Sequence, residues 1–389
     1  MTKHTPLLLG LLLWLPSLAS ADSADVAAKL SNAQQKTPPV VKNIFYLGDS
    51  YLDDGNYQAL TGFPLEYFSN EPPWGTDVNV ALGFKAVGRW TTAGSPPNPL
   101  GNNYAVSGAS IEGGLTPINT SFRAQVHLML SDYPKGLPTN TLVVVAIGTN
   151  NVIGAMNLGG IWSTNLSGWR LNRSGFTVPA VGATVTVQVA DTTGLVAGPN
   201  NLVIFANGRK LTLLSVTAVD TQSSTVAFTN VSGKPGTLVS QSSSFEMAAS
   251  YVLDFAVPIF TRKINALLAD GASLVLALPQ RTDILPLYNQ GADQGLAYST
   301  WLYLYTKMAM AVSKKPFSNF DLNGFFDTVF FNFASYGFLY NYPGWDDNPN
   351  VSANEYVFWD SAHPSGKMHQ LIAGDFIQFL SHAGLAMSQ

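Results

Sequence analysis

Cysteine is absent from the 389 residues. That excludes thiolate catalysis and cysteine-ligated metal, and leaves the fold to be held by its apolar core without disulfides. Charge is scarce as well. Asp, Glu, Lys and Arg make up 11% of the chain, no basic run occurs, and the formal net charge is −4. A weakly acidic surface without clustered Lys or Arg gives no electrostatic case for nucleic acid or anionic lipid. Beyond the N-terminus no stretch is long and uniformly apolar enough for a transmembrane anchor. Asp53 and Asp54 stand without the further ligands a metal needs, so neither a metal nor an organic cofactor is expected.

The first residues read as a targeting segment. Lys3 supplies a positive charge, Leu7 to Leu18 a leucine-rich stretch, and Ala19-Ser20-Ala21 the small-x-small pattern of a signal-peptidase site. A signal peptide over residues 1–21, cleaved after Ala21, implies a secreted or periplasmic protein. Its loss removes Lys3 alone among charged residues, taking the net charge from −4 to −5. Residues 22–40 are polar, end near Pro38-Pro39, and read as a linker.

Three apolar runs lack polar alternation: 40–47 ending at Gly48, 141–147 ending at Gly148, and 273–278 ending at Pro279. Such runs suit strands buried on both faces, as in a parallel sheet. Helical patterns over 250–269 and 297–313 alternate with them, which predicts an α/β fold. The stretch 176–245 breaks that rhythm. Short β-type runs there (185–189, 202–205, 211–219, 225–231) are separated by turn signals, among them Asn207-Gly208 as a two-residue hairpin turn. An all-β module inserted over 161–247 is expected, with the catalytic part assembled from 41–160 and 248–389.

Gly48-Asp49-Ser50 follows the first strand directly. A serine where a strand turns into a helix lies at the carboxyl edge of the sheet, where α/β folds bind ligands, with the helix N-terminus behind it. A free serine hydroxyl needs an adjacent base. His363 is the candidate general base and acid, and Asp360, three residues earlier, can orient its ring. Of the other histidines, His127 and His382 lie in helical patterns without partner motifs, and His369 reads as a supporting or structural residue. Asp49, Asp53 and Asn56 read as shaping the turn rather than reacting.

The wider context resembles the GDSL (SGNH) hydrolases in four ordered blocks. These are Phe45-x-x-Gly48-Asp49-Ser50-x-x-Asp53-x-Gly55-Asn56, then 101–109 (GNNYAVSGA), then Ile147-Gly148-Thr149-Asn150, and finally 356–364 (YVFWDSAHP). The resemblance is nearest to the secreted phospholipase, lecithinase and hemolysin-like branch. It implies a flavodoxin-like three-layer α/β/α fold carrying the inserted β module. It also implies a Ser50–His363–Asp360 triad with an oxyanion hole from the Ser50 and Gly108 N–H groups and the Asn150 amide. One departure stands out: Asn151 follows Asn150 where the family carries an acid, which is expected to weaken a structural hydrogen bond and retune substrate choice.

The function implied is hydrolysis of carboxylic acyl esters, with lipid, lysophospholipid or short-chain esters as partners. Alternatives share the same chemistry: deacetylation of an extracellular polysaccharide, with the β insert docking on glycan or another surface ligand, or acyl transfer to an alcohol. A non-catalytic β adhesin is disfavoured by the presence of Ser50, Asp360, His363, Gly108 and Asn150 together. Aromatics at Tyr51, Trp74, Trp90, Phe330, Phe331, Phe333, Tyr336, Phe338 and Tyr340 are candidates either for an acyl pocket or for the core.

Overall fold

A strand without polar alternation is stable only where both of its faces are covered, and the computed structural model meets that demand. It describes residues 40–85, 87–90, 101–114, 119–207, 210–289 and 292–387; the expected signal peptide, and the linker up to residue 39, lie outside the described residues. Val40, where the expected linker and the first apolar run meet, begins β1 (Val40–Val41), and β2 (Asn43–Gly48) follows. Then come α1 (Asn56–Thr61), α2 (Trp74–Ala81), α3 (Phe122–Asp132), β3 (Thr141–Ala146) and α4 (Thr149–Met156).

A stretch of strands succeeds them: β4 (Trp169–Arg170), β5 (Phe176–Thr177), β6 (Thr184–Gln188), β7 (Leu202–Asn207), β8 (Lys210–Asp220), β9 (Thr225–Asn230), β10 (Leu238–Val239) and β11 (Ser244–Met247). The chain then returns to alternation with α5 (Ala248–Ala269), β12 (Ser273–Ala277), α6 (Ala292–Val312), β13 (Ser318–Asn319), α7 (Leu322–Phe331), α8 (Gly366–His382) and β14 (Ala386–Met387). The protein is of mixed α/β class.

The central sheet runs β13-β12-β3-β2, every neighbouring pair parallel. Beside β2, Asn103 bridges Tyr46 in parallel, held by Tyr46 N–H to Asn102 O (3.0 Å) and Tyr104 N–H to Tyr46 O (2.8 Å). The segment 102–104 therefore extends the edge of the sheet. Period-two alternation divides its side chains between two apolar clusters. Phe45, Leu47, Val143, Val145, Leu274 and Leu276 join one, with α3, α5 and α6. Ile44, Tyr46, Leu142, Val144, Val275 and Ala277 join the other, with α2, α7 and α8. Helices thus cover both faces.

Residues 169–247 carry a six-stranded antiparallel sheet in the order β4-β11-β7-β8-β9-β6, and a separate β5–β10 pair. In β9 burial alternates residue by residue, with Val226 and Phe228 inward, the signature of a half-covered strand. Asn207 pairs with Lys210 and so ends β7 rather than starting the turn; residues 208–209 lie outside the described residues. Phe176, Phe205, Phe228 and Phe245 pack ring against ring at 4.8–6.4 Å. They belong to the same apolar cluster as β2, β3 and α5, and Val40–Gln389 form one compact unit. Among the described residues no helix is long and apolar enough to cross a membrane.

Candidate active site

β2 ends at Gly48 because nothing larger fits there: a Cβ would stand 2.2 Å from the Ala146 carbonyl oxygen of β3. From that point the chain leaves the sheet in a turn, closed by Leu52 N–H to Asp49 O (3.1 Å). No helix follows Ser50 directly, contrary to expectation. α1 begins only at Asn56, because Gly55 adopts a left-handed conformation (φ 81°) and the Asp53 carboxylate takes the Asn56 N–H at 2.7 Å. Ser50 consequently has turn amides around it and no helix N-terminus.

The second strand end brings α4, with Asn150 in its first turn. The last contributor is the turn 360–363, where Asp360 Oδ1 accepts the Ala362 and His363 N–H groups at 2.8 and 2.7 Å. This local closure folds the Asp360 side chain back onto its neighbour's ring. His363 Nδ1 lies 2.7 Å from Asp360 Oδ2, and His363 Nε2 lies 2.9 Å from Ser50 Oγ. Burial pushes the Asp360 carboxyl up, but the His363 hydrogen bond and charge and the two backbone N–H groups outweigh it and hold the group below the usual carboxylate range. An ionised Asp360 makes Nδ1 the donor, so Nε2 accepts from the Ser50 hydroxyl. Both side chains keep partial access to solvent, at 19% and 23% for His363 and Asp360.

Gly108 sits at φ 75°, a conformation open to glycine and strained for other residues. Asp53 fixes the segment leading into it: its Oδ2 accepts both the N–H and the hydroxyl of Ser107 at 2.7 Å. Asn56 adds bonds to the Asn103 and Ala105 carbonyls at 3.0 and 2.8 Å. Burial raises the acids of the turn, Asp49 to about 7 and Asp53 to about 6. Among the described residues neither the Ser50 N–H nor the Gly108 N–H donates to another group. Asn150 gives its Nδ2 to Ala109 O at 3.0 Å, which leaves one amide hydrogen unused. An ordered hydroxyl–imidazole–carboxylate line beside unengaged N–H donors is equipped for nucleophilic attack on a carbonyl carbon.

The other residues singled out by sequence fall as follows. His369 is buried and accepts the Trp74 N–H on Nδ1 (3.3 Å); burial, then the charge of His363, lowers it to about 3, so it stays neutral. His127 and His382 are exposed. Asn151 Oδ1 accepts the Ile111 N–H (2.9 Å) and its Nδ2 donates to Glu112 (2.9 Å). Of the aromatics proposed for a pocket, Tyr51, Trp74, Phe330 and Phe338 are core residues. Among the described residues no group of acidic or histidine side chains is arranged to hold a metal ion.

Three contributors went unnoticed in the sequence. Gln125 pins the end of β2 from both sides, accepting the Gly48 N–H and donating to the Gly48 carbonyl, each at 2.8 Å. Its signal was a polar residue on the apolar stripe Phe122, Val126, Met129 of α3. Gln280 donates to the Tyr51 hydroxyl (2.6 Å), which donates to the Ala362 carbonyl (2.8 Å) next to His363. Phe68 lies 5.1 Å from the His363 ring, centroid to centroid. Nothing local in the sequence marks the last two, because their partners are remote in the chain.

No family model and no curated protein matches this chain. Solved structures do resemble it. One is a Bacillus subtilis protein, at 13% identity and TM-score 0.40, covering 90% of this chain and 58% of that one, so the chain spans little more than half of that protein. A second is an α/β hydrolase enzyme from the metagenome of Lake Arreo, Spain, at 11% identity and TM-score 0.40, covering 89% of this chain and 98% of that one. A third is a Lactobacillus plantarum protein at 9% identity and TM-score 0.35, covering 88% and 98%.

Proposed function

We propose that this protein is an exported serine ester hydrolase of the GDSL (SGNH) type, with Ser50 as nucleophile. The observation that carries it is the Ser50 Oγ–His363 Nε2 contact of 2.9 Å, with Asp360 on the far nitrogen at 2.7 Å. The parallel order of segment 102–104, β2, β3, β12 and β13, with helices on both faces, supports a flavodoxin-like arrangement that carries the β-rich segment 161–247 as an insert.

In the reaction, Ser50 Oγ attacks the ester carbonyl carbon as His363 Nε2 removes its proton. The carbonyl oxygen becomes an oxyanion, received by the Ser50 and Gly108 N–H groups and the free amide hydrogen of Asn150. Each such donor is worth about 2.7–4 kcal/mol in the transition state. Collapse expels the alcohol oxygen, which takes the proton back from His363 and leaves an acyl-Ser50. Water, activated by the same imidazole, then releases the acid. Asp360 holds the productive tautomer and stabilises the imidazolium throughout.

The test compares the wild-type protein with Ser50→Ala on p-nitrophenyl acetate. Removing the nucleophile is expected to lower kcat on the order of 10⁴-fold or more. Equal rates would sink the mechanism.

A further inference from the structure

Beside the triad lies a row of aromatic rings that the core does not use. Phe68 packs on the His363 ring at 5.1 Å, Phe63 stacks on Phe68 at 5.3 Å with their planes 7° apart, and Tyr57 meets both edge-on at 5.6 and 5.4 Å. All three are half-buried, Leu65 in the loop between Phe63 and Phe68 is 45% exposed, and none belongs to the apolar clusters that hold the sheet. Exposed aromatic surface of this kind costs solvation free energy unless something covers it.

The loop is also fastened to the segment bearing His363. Asn70 Oδ1 accepts the Gly366 N–H at 2.9 Å, its Nδ2 donates to Asn354 at 3.0 Å, and Glu71 accepts from Asn354 and Gln370. Phe68, two residues before Asn70, is thereby held beside the imidazole.

Chemistry says which half of an ester meets them. His363 must return its proton to the leaving alcohol oxygen, so that oxygen and its first carbons lie close to the imidazole whose ring Phe68 contacts. Resting on the ester-hydrolase reading above, we propose that Tyr57, Phe63 and Phe68 form the binding shelf for the alcohol portion of the substrate. The preferred substrates are then esters of apolar alcohols, aryl-alkyl or long-chain, and Phe68 sets that preference. Stacking or edge contact with Phe68 adds to simple burial of the alcohol group.

The experiment varies one side of the ester at a time. Ethyl and 2-phenylethyl acetate have alcohols of similar acidity, so any rate difference reports binding of the alcohol group. In a pH-stat the wild-type protein is expected to favour 2-phenylethyl acetate in kcat/KM by about 10-fold, the worth of one buried ring contact of about 1.4 kcal/mol. Phe68→Ala should flatten that ratio to within about threefold by losing more rate on the phenyl ester than on the ethyl ester. Phe68→Tyr, which keeps a ring there, should preserve it, and Phe63→Ala should fall between.

No alcohol preference in the wild type, or the same preference in Phe68→Ala, overturns the shelf. So does an equal loss on both esters in a folded Phe68→Ala, the mark of a ring that only positions His363. Labelling of Ser50 by a fluorophosphonate separates the two readings. Labelling and turnover without alcohol discrimination remove the shelf alone, while absence of both removes the hydrolase reading and the shelf with it.

Discussion

Asn151 illustrates how a single side chain can carry a structural load without a charge. Its amide accepts from Ile111 and donates to Glu112, a pair of bonds that only a group with both a donor and an acceptor can make. Asn151→Asp would set two carboxylates at hydrogen-bond distance, with Glu112 already raised by burial. One of the two must then take up a proton or move away. We expect the variant to lose about 2 kcal/mol at pH 8, read by urea denaturation, and to recover much of it at pH 5, where the pair can share a proton. A loss equal at both pH values would point to packing instead.

At the scale of elements, the site depends on strand ends being held still. β2 stops against β3 at Gly48, and Gln125 of α3 satisfies both backbone groups of that residue. Replacing it by leucine leaves the buried Gly48 N–H without an acceptor, whereas the carbonyl keeps the Val106 N–H at 3.2 Å. Gln125→Leu is therefore expected to cost about 2–3 kcal/mol, with an unchanged denaturant slope and a lower kcat, because Ser50 lies two residues beyond. The apolar runs of β2, β3 and β12 and the helix over 250–269 were readable from pattern, since burial on both faces selects them residue by residue. The helix expected after Ser50 was not, because Asp53 and Gly55 divert the chain using partners at Ser107, far along the sequence.

For the whole molecule, two buried groups set opposite slopes of stability against pH. His369 falls to about 3 on folding, so only the unfolded chain binds its proton between roughly pH 3 and 6.5, and stability is lost as pH falls through that window. Asp49 rises to about 7, so the folded chain holds a proton the unfolded one has released, and stability falls as pH climbs from about 4 to 7. Thermal melts should thus respond oppositely to two substitutions. His369→Asn, which keeps an acceptor for Trp74, should gain relative stability toward pH 4, and Asp49→Asn should gain it toward pH 8. Parallel melting curves for wild type and variants would contradict both assignments. Because Phe205, Phe228, Phe245 and Met247 share one apolar cluster with the central sheet, the β-rich segment contributes to this common stability.

Composition and the apolar runs were enough to give the α/β class and to exclude cysteine chemistry, and four short blocks pointed to Ser50, Gly108, Asn150, Asp360 and His363 as candidates. Those features are local, and local patterns are set by burial and by spacing within a few residues. Tertiary structure alone brought Phe68 against His363, Gln280 onto Tyr51 and Glu112 onto Asn151. Those contacts join segments that meet only once the sheet has formed, and no periodicity in the chain records such a meeting.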